Sequence, residues 1–481
     1  MNRLRIGLLG CGNVGAALVT LLDEQRDTVA ARTGIELDIT RIAVRSTSKD
    51  RGLNIDPTVF CTDAAAIVSD PEIDIVVEVI GGIEPARSLL HDAVAKGKPV
   101  VTGNKELLSN YGAELFEAAD DAGVDLLFEA AVAGAIPLIR PLRESLAAEP
   151  VQRIMGIVNG TTNYILTQMS EGGVSYAEAL SEAQSLGYAE RDPAADVEGF
   201  DAGAKAAIIA TVAFGAVVVA GDVYHEGISR ITSHDIEMAR RLGYAVKAVA
   251  VAERTGWGNG EPPEVAVRVH PAMVPVHHPL AGVRDSFNAV FIQGDAVGEL
   301  MFYGRGAGGR PTAGAVLGDL VDAAVNLASG GSGRIGRLVR ARIRSIDDLR
   351  SEYYIGLEVA DRPGVLASVA DVFGRHGVSI RSMEQHGPGG GASGRADPAH
   401  TGDAVARAAR ERSEQERDTP PLGASRPHRF ADARGGDARL VFITHECRER
   451  DLQATLRDLR GLEAVHELGN VIRVVGDENP Q

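Results

Sequence analysis

A short apolar run from Leu4 to Leu9 passes directly into Gly10-Cys11-Gly12-Asn13-Val14-Gly15, and a helical pattern continues from there to about Glu24. The chain thus begins as strand, glycine turn and helix. Each glycine has its own reason in such a turn: Gly10 allows the sharp reversal, Gly12 lets backbone approach a pyrophosphate, and Gly15 lets the helix pack closely on the strand. The phosphates would sit at the helix N-terminus, where free amides and the helix dipole favour anions. Gly10, Gly12, Asn13, Val14 and Gly15 are therefore candidate dinucleotide contacts, against the alternative of a purely structural glycine turn.

The alternation continues downstream. Asp38 to Val44, Ile73 to Ile80, Pro99 to Thr102 and Asp125 to Glu129 read as strands, with helices at Asp63 to Val68, Glu84 to Lys96 and Glu106 to Ala122. This predicts a parallel doubly wound sheet with ligands at the carboxyl ends of its strands. The second strand ends in Ala43-Val44-Arg45-Ser46, where an acid would favour NAD by binding the ribose hydroxyls; Arg45 suits a 2′-phosphate and favours NADP, with NAD still possible. Lys49 and Arg51 just beyond read as a solvated surface loop. Thr102-Gly103-Asn104-Lys105 follows a strand at its carboxyl end, where nicotinamide and substrate would meet, so Thr102 and Lys105 are candidate contacts, with an ordinary surface lysine as the alternative.

From about Gly134 the pattern changes. Ile154 to Val158, Val249 to Ala252, Val265 to Val269 and Ala289 to Gly294 look like strands between helices at Asn163 to Glu171, Tyr176 to Leu186, Asp201 to Ala220 and Ser233 to Leu242, a second α+β domain. Asp201 and Lys205 are four apart and share a helical face, ahead of the nearly uncharged run Ala206 to Gly221. An ordinary helix-start ion pair fits that spacing, and so does a lysine held at a boundary where it exchanges a proton with a substrate. The run itself is shorter than the roughly 20 residues a spanning helix needs and reads as a buried core helix.

A third unit begins near Tyr353: a strand Tyr354 to Val359, a helix to His376, strands Ser379 to Glu384 and Ala438 to Thr444, a helix Glu449 to Leu459 and a strand Ala464 to Val475. This βαββαβ order is ferredoxin-like. The predicted organisation is a dinucleotide-binding domain over 1–133, on which a helix at 311–328 packs back; a substrate and dimerisation domain over 134–310; a linker over 329–352; and the small domain over 353–476. Residues 387–437, poor in large apolar side chains, are expected to be a disordered insert.

A net charge of -17 argues against general nucleic-acid binding. Three dispersed cysteines, Cys11, Cys61 and Cys447, form neither a metal-ligand spacing nor a disulfide framework, which fits a reducing cytoplasm. No membrane partner is expected.

Several segments together resemble one family. Gly7 to Gly15, Gly103-Asn104-Lys105, Asn159 to Leu166, Ala183 to Lys205 and Gly304-Arg305-Gly306-Ala307-Gly308 occur in the order seen in homoserine dehydrogenase, over roughly residues 4 to 330. Ala183, Gly187-Tyr188, Pro193, Asp196, Gly199, Asp201 and Lys205 are similar to that family's signature, and Asp361-Arg362-Pro363-Gly364 resembles an ACT domain. The resemblance implies an NAD(P)-dependent oxidoreductase interconverting L-homoserine and L-aspartate 4-semialdehyde in threonine, methionine and isoleucine biosynthesis, feedback-regulated by threonine and assembled as a dimer or tetramer. It implies that Lys205 is the general acid and base and that Asp201 orients it. Glu190 would bind the substrate ammonium, with Lys105, Gly187 and Asp196 also at the substrate, and Gly304 would return to the nucleotide. It further implies a monovalent-cation site (Na+ or K+) at Glu129, Val132, Gly134 and Ile136, built from one carboxylate and backbone carbonyls. Arg310, Gly314 and Arg191 depart from the family pattern, as does the long insert. Competing readings are a related amino-acid dehydrogenase and a nucleotide- and amino-acid-binding sensor without turnover.

Overall fold

A computed structural model describes residues 2–258, 261–333, 338–386 and 437–476. The expected insert at 387–437 lies outside the described residues apart from Asp437. The chain divides into two compact units, the first made of Met1–Tyr353, Arg448–Arg450 and the stretch from Ile472, the second of Tyr354–Cys447 and Asp451–Val471.

The first unit opens with β1 (Asn2–Leu9), α1 (Asn13–Thr33), β2 (Ile35–Ala43), β3 (Phe60–Cys61), α2 (Ala64–Ser69), β4 (Ile75–Glu78), α3 (Ala86–Ala95), β5 (Val100–Thr102), α4 (Lys105–Ala122) and β6 (Leu126–Leu127). All six strands are parallel, in the order β3-β2-β1-β4-β5-β6. This is the doubly wound nucleotide-binding order, with the crossover reversing between β1 and β4. α1 runs beyond the expected Glu24 to Thr33, through a mostly polar stretch whose apolar period is too weak to read from sequence; the helix stops at Gly34, whose φ of 73° a side-chain-bearing residue would resist.

The chain continues through β7 (Val151–Ile157), α5 (Gly160–Thr167), α6 (Tyr176–Ser185), α7 (Ala194–Val197), α8 (Phe200–Phe214), β8 (Ala216–Val217), β9 (Tyr224–His225), α9 (Ser233–Arg241), β10 (Tyr244–Gly258), β11 (Glu261–Pro275), β12 (Phe287–Gly294), β13 (Gly298–Arg305) and α10 (Gly309–Ser329). Strands β13-β12-β7-β10-β11 form an antiparallel sheet. One face, including Ile154, Val158, Val267 and Val290, joins Ile208 and Ile209 of α8 in a single apolar cluster. Each such isoleucine contributes about 1.5–3 kcal/mol on burial. The expected helix Asp201 to Ala220 ends at Phe214 instead: Gly215 adopts φ 60° and the valine-rich residues after it turn extended.

α10 returns to the first domain. Its Val316, Leu317 and Leu320 share a core with Ile6, Leu18 and Ile75. Beyond it, β14 (Val339–Arg340) and β15 (Arg342–Ile343) occupy part of the stretch expected as linker. The second unit holds most of β16 (Arg350–Ala360), then α11 (Val365–Arg375), β17 (Ile380–His386), β18 (Asp437–Thr444), β19 (Cys447–Arg448), α12 (Glu449–Arg460) and β20 (Val465–Val474). Its strand order β20-β16-β18-β17 is that of a ferredoxin-like sheet. No helix among the described residues is long and apolar enough to cross a membrane.

Candidate active site

The glycine turn closes against the end of β4. A side chain at Gly10 (φ 99°) would come within 2.8 Å of the Val79 carbonyl oxygen, and one at Gly15 within 2.5 Å of the Gly10 carbonyl oxygen. At Gly12 the same test meets nothing within 4 Å, which leaves the N-terminus of α1 open to a phosphate group. Asn13 and Val14 open that helix, and the backbone oxygen of Asn13 lies 3.2 Å from where a side chain on Gly309 would project.

Arg45 is exposed just past the end of β2. Arg51, expected to be solvated, is tied down instead: its Nε donates to the Cys11 carbonyl at 3.2 Å, its Nη atoms donate to the Lys49 and Ser46 carbonyls, and its guanidinium lies 5.2 Å from the Phe60 ring centroid. A cation therefore leans on the glycine turn from a residue whose place just past β2 read as solvated loop.

Two buried groups shape the carboxyl edge of the sheet. Glu78, fully buried at the end of β4, accepts from the Ile80 and Gly81 amides at 2.7 and 3.0 Å and from the Thr102 hydroxyl at 2.6 Å. Asn104 caps α4 through the Leu107 amide and donates to the Gly82 carbonyl at 2.7 Å. Thr102 is thus a buried strut, and Lys105 emerges from the first turn of α4 with its direction set.

Lys105 crosses to the second domain. Its Nζ lies 2.5 Å from Asp201 Oδ1, while Lys205 Nζ lies 2.7 Å from Asp201 Oδ2 and donates at 2.7 Å to the Val158 carbonyl. Asn159, which caps α5 through the Thr162 amide, donates its Nδ2 to Asp196 at 2.7 Å and to Asp201 at 2.9 Å. Burial alone would raise the Asp201 carboxyl, but the ammonium groups of Lys205 and Lys105 override it and hold the carboxylate far below its ordinary range. Burial pulls Lys105 down, and Asp201 more than reverses that, so Lys105 ends raised. Lysine side chains from two domains thus share one carboxylate, with Lys105 nearly half exposed and Lys205 largely covered.

Gly187 (φ 76°) and Glu190 lie on the turn after α6. That turn is fastened to α5, where the Thr161 hydroxyl donates to the Tyr188 carbonyl at 2.7 Å and the Tyr164 and Tyr188 rings pack at 4.9 Å. The Glu190 carboxylate is exposed, and among the described residues no hydrogen bond or ion pair joins it to the Asp201 cluster.

Glu129 differs from its expected use. Its carboxylate accepts from the Leu138, Ile139 and Arg140 amides, which engage both oxygens, and its own amide donates to Asp319 at 2.7 Å. Burial pushes Asp319 up to about 7. Ala133 and Gly134 both adopt positive φ, at 57° and 59°, in a tight buried turn between Val132 and Ile136. Gly306 is pressed on that turn, its carbonyl oxygen only 2.3 Å from where a side chain on Gly134 would project, and Gly304 lies beside Ile136. Oxygen donors here are backbone carbonyls rather than a free carboxylate, still a hard set suited to a cation such as Na+ or K+. Among the described residues no group of three or more His, Cys, Asp or Glu side chains could hold a metal ion.

Of the departures from the expected pattern, Arg310 pairs with Glu24 at 2.5 Å on the surface, and Gly314 has open space where a side chain would stand. Sequence reasoning gave no role to Asn159 or Glu78 and read Arg51 as part of a solvated loop. The first two had a signal, a helix-capping asparagine and a carboxylate at a strand's end; the signal at Arg51 was its positive charge just past the second strand.

The arrangement can exchange a proton with a ligand held between the two domains and can cradle a dinucleotide at the glycine turn. Comparison with known proteins gives this chemistry a family. Residues 137–321 match the family described as homoserine dehydrogenase, residues 10–129 match the homoserine dehydrogenase NAD-binding domain, and residues 353–412 match the ACT domain. A homoserine dehydrogenase from Corynebacterium glutamicum is 44% identical over 474 residues, covering 98% of this chain and 96% of the relative. The crystal structure of a homoserine dehydrogenase from Thiobacillus denitrificans superposes with a TM-score of 0.83 at 36% identity, covering 99% of each chain. A hyperthermophilic archaeal homoserine dehydrogenase mutant, in complex with NADPH, superposes with a TM-score of 0.56 at 29% identity over 67% of this chain and 98% of that one.

Proposed function

Since the chain belongs to the homoserine dehydrogenase family and carries an ACT domain, it is an oxidoreductase of that activity, and we propose that Lys205 is its proton-transfer residue and Asp201 its orienting partner. The observation that carries this reading is the single buried carboxylate of Asp201 shared by Lys205 and Lys105. In the reducing direction the Lys205 ammonium donates a proton to the aldehyde oxygen of aspartate 4-semialdehyde, giving the hydroxyl of homoserine; in the reverse direction the neutral amine takes that proton back. The nicotinamide, when bound, supplies or accepts the hydride. Asp201 holds the ammonium against the Val158 carbonyl and so fixes its direction, and Lys105, with its greater exposure, contacts the substrate. Glu190 on its open turn receives the substrate's α-ammonium, with Gly187 and Asp196 shaping the same wall.

For the cofactor we favour NADP, with Gly10, Gly12, Asn13, Val14 and Gly15 at the pyrophosphate, Arg45 at the 2′-phosphate, and Thr102, Lys105 and Gly304 toward the nicotinamide end. The archaeal relative seen with NADPH supports that preference. A monovalent cation would rest on carbonyl oxygens of Glu129, Val132, Gly134 and Ile136 and brace the turn against Gly306. The ACT domain fits feedback by threonine within threonine, methionine and isoleucine biosynthesis, and a homo-oligomer built on the second domain in the cytoplasm completes the reading.

The test is homoserine-dependent formation of NADPH and, in parallel, NADH by the full chain, with and without threonine, for wild type and Lys205→Ala. Loss of turnover by about 10²–10⁴-fold in the variant is expected. A folded variant within about tenfold of wild type would overturn the proton-transfer role, and a rate indifferent to threonine would overturn the regulatory one.

A further inference from the structure

Arg473 lies near the end of the chain, yet it belongs to the first unit and is only 6% exposed. Its register partner is Ala272 on β11. The guanidinium binds Glu226 and Glu449 at 2.8 Å each, Tyr224 donates its hydroxyl to Glu226 at 2.6 Å, and Tyr353 donates to Glu449 at 2.7 Å. The rings of Tyr224 and Tyr353 lie 5.5 and 5.9 Å from the guanidinium carbon. Burial and Glu226 push the Tyr224 hydroxyl up to about 12, so it stays a donor.

A buried ion cluster of this kind contributes little net stability, because desolvation of its charges offsets their attraction; its attested use is to fix one geometry over others. What Glu226 fixes can be followed residue by residue. β9 lies beside β11, and the Glu226 amide donates to the Val269 carbonyl at 2.8 Å. The His225 ring packs on the Phe200 ring at 5.1 Å and against Gly203, where a side chain would come within 2.2 Å of Nε2. Ile228 donates its amide to the Val197 carbonyl at 2.8 Å, and Gly227 is pressed against Glu198. Residues 225–228 therefore touch the turn from α7 into α8 at Val197, Glu198, Phe200 and Gly203. Asp196 in α7 and Asp201 in the first turn of α8 flank that turn, and Gly203 lies midway between Asp201 and Lys205.

We propose that Arg473 is a positioning residue for the Asp201–Lys205 pair, acting through Glu226 and the His225–Ile228 segment braced against the start of α8. Arg473, Glu226, Glu449, Tyr224 and Tyr353 all belong to the first unit, as do Asp201 and Lys205. The proposal rests on Asp201 and Lys205 being the proton-transfer pair.

Glu226→Gln removes the charge while keeping volume and an oxygen for Tyr224, so it reads the joint even where Arg473→Met fails to fold. Kinetics of homoserine oxidation across pH 7 to 10, with the melting temperature measured in parallel, provide the readout. Displacing a catalytic group by about an ångström costs up to about a hundredfold. We expect Glu226→Gln to lower kcat by about ten- to a hundredfold with both KM values within about twofold, and to move the limb of the kcat–pH profile. Arg473→Lys should recover part of the loss of Arg473→Met, and the Glu226→Gln/Arg473→Met double variant should be no worse than the poorer single one. A fall in melting temperature with kcat and its pH profile unchanged would make the cluster purely structural and overturn the proposal. If Lys205→Ala abolishes turnover while Glu226→Gln does not touch it, this inference alone fails; if Lys205→Ala stays active, the reading beneath it fails.

Discussion

The sharpest consequence of the site concerns Asp201→Asn. Every partner of this carboxylate is a donor: Lys105 on Oδ1, and Lys205 and Asn159 on Oδ2. An amide at this position must therefore turn its own NH2 group against a donor whichever way it flips. The less costly orientation keeps oxygen on Lys205, which is 12% exposed, and turns the NH2 toward Lys105, which is 46% exposed and can swing into water. Removing one partner of a buried pair typically costs about 3–5 kcal/mol, because the other charge is left uncompensated. For Lys105 most of that is screened by solvent; for Lys205 it is not. If the loss falls on the transition state, kcat/KM drops by about 10²–10⁴-fold. The pH dependence has a definite sign. Asp201 holds the Lys105 ammonium raised, so its removal lets the Lys105 amine form appear at lower pH, and any limb of the rate profile that Lys105 contributes moves toward acid. Initial rates from pH 6 to 10, with kcat and KM resolved, provide the assay. A kcat/KM within about tenfold of wild type with an unmoved limb would refute the shared-carboxylate argument.

Three further outcomes follow from other parts of the molecule. Arg45→Ala should weaken NADPH far more than NADH, and equal losses would remove it from the 2′-phosphate; Arg51→Ala, by freeing the Cys11 carbonyl, should weaken both cofactors. Gly306→Ala would drive a methyl group to 2.0 Å from the fully buried Asn288 amide, an overpacking that costs about 1–3 kcal/mol, and Asn288→Ala in the same chain should recover most of it in a denaturant titration. Burial pushes Lys247 down to about 8, so the folded chain releases its proton before the unfolded one, and stability lost below pH 8 returns between pH 8 and about 10.5. The swing is about 3 kcal/mol, and Lys247→Met should abolish it; a wild-type-to-variant gap in unfolding free energy that does not change with pH would contradict this.

Local pattern explains which parts of this architecture could be read in advance. The strand before Gly10 and the helix after Gly15 announce themselves because three glycines and one apolar run leave few alternatives. β10 and β11 extend well past the expected Val249 to Ala252 and Val265 to Val269, an extension hidden in sequence by polar residues such as Lys247 and His270 that are buried all the same, Lys247 against the Val283 carbonyl, as is Arg268 against Glu253 at 2.6 Å. β13 went unread since mostly exposed or half-exposed residues line it. At the site, the four-residue spacing of Asp201 and Lys205 was visible, but the approach of Lys105 from another domain was not, because no local periodicity encodes a contact between distant segments. The use of the Glu129 carboxylate as an acceptor for three amides, which leaves only its backbone carbonyl for a cation, likewise depends on where the chain from Leu138 to Arg140 begins its turn.

The return of α10 to the first domain has a consequence for synthesis. Ile6, Leu18 and Ile75 leave the ribosome early, yet Val316, Leu317 and Leu320, which complete their core, emerge only after the whole second domain. At roughly 5–20 residues per second, the intervening stretch from Glu129 to Gly308 takes about 10–40 s to translate. Through that interval the nascent nucleotide-binding sheet shows one apolar flank, and Glu129 waits for the Asp319 carboxylate that its amide will bind. The cofactor half of this enzyme is thus begun first and finished only after the second domain, and a nonsense codon in α10, besides removing all that follows, would cripple the oldest part of the fold.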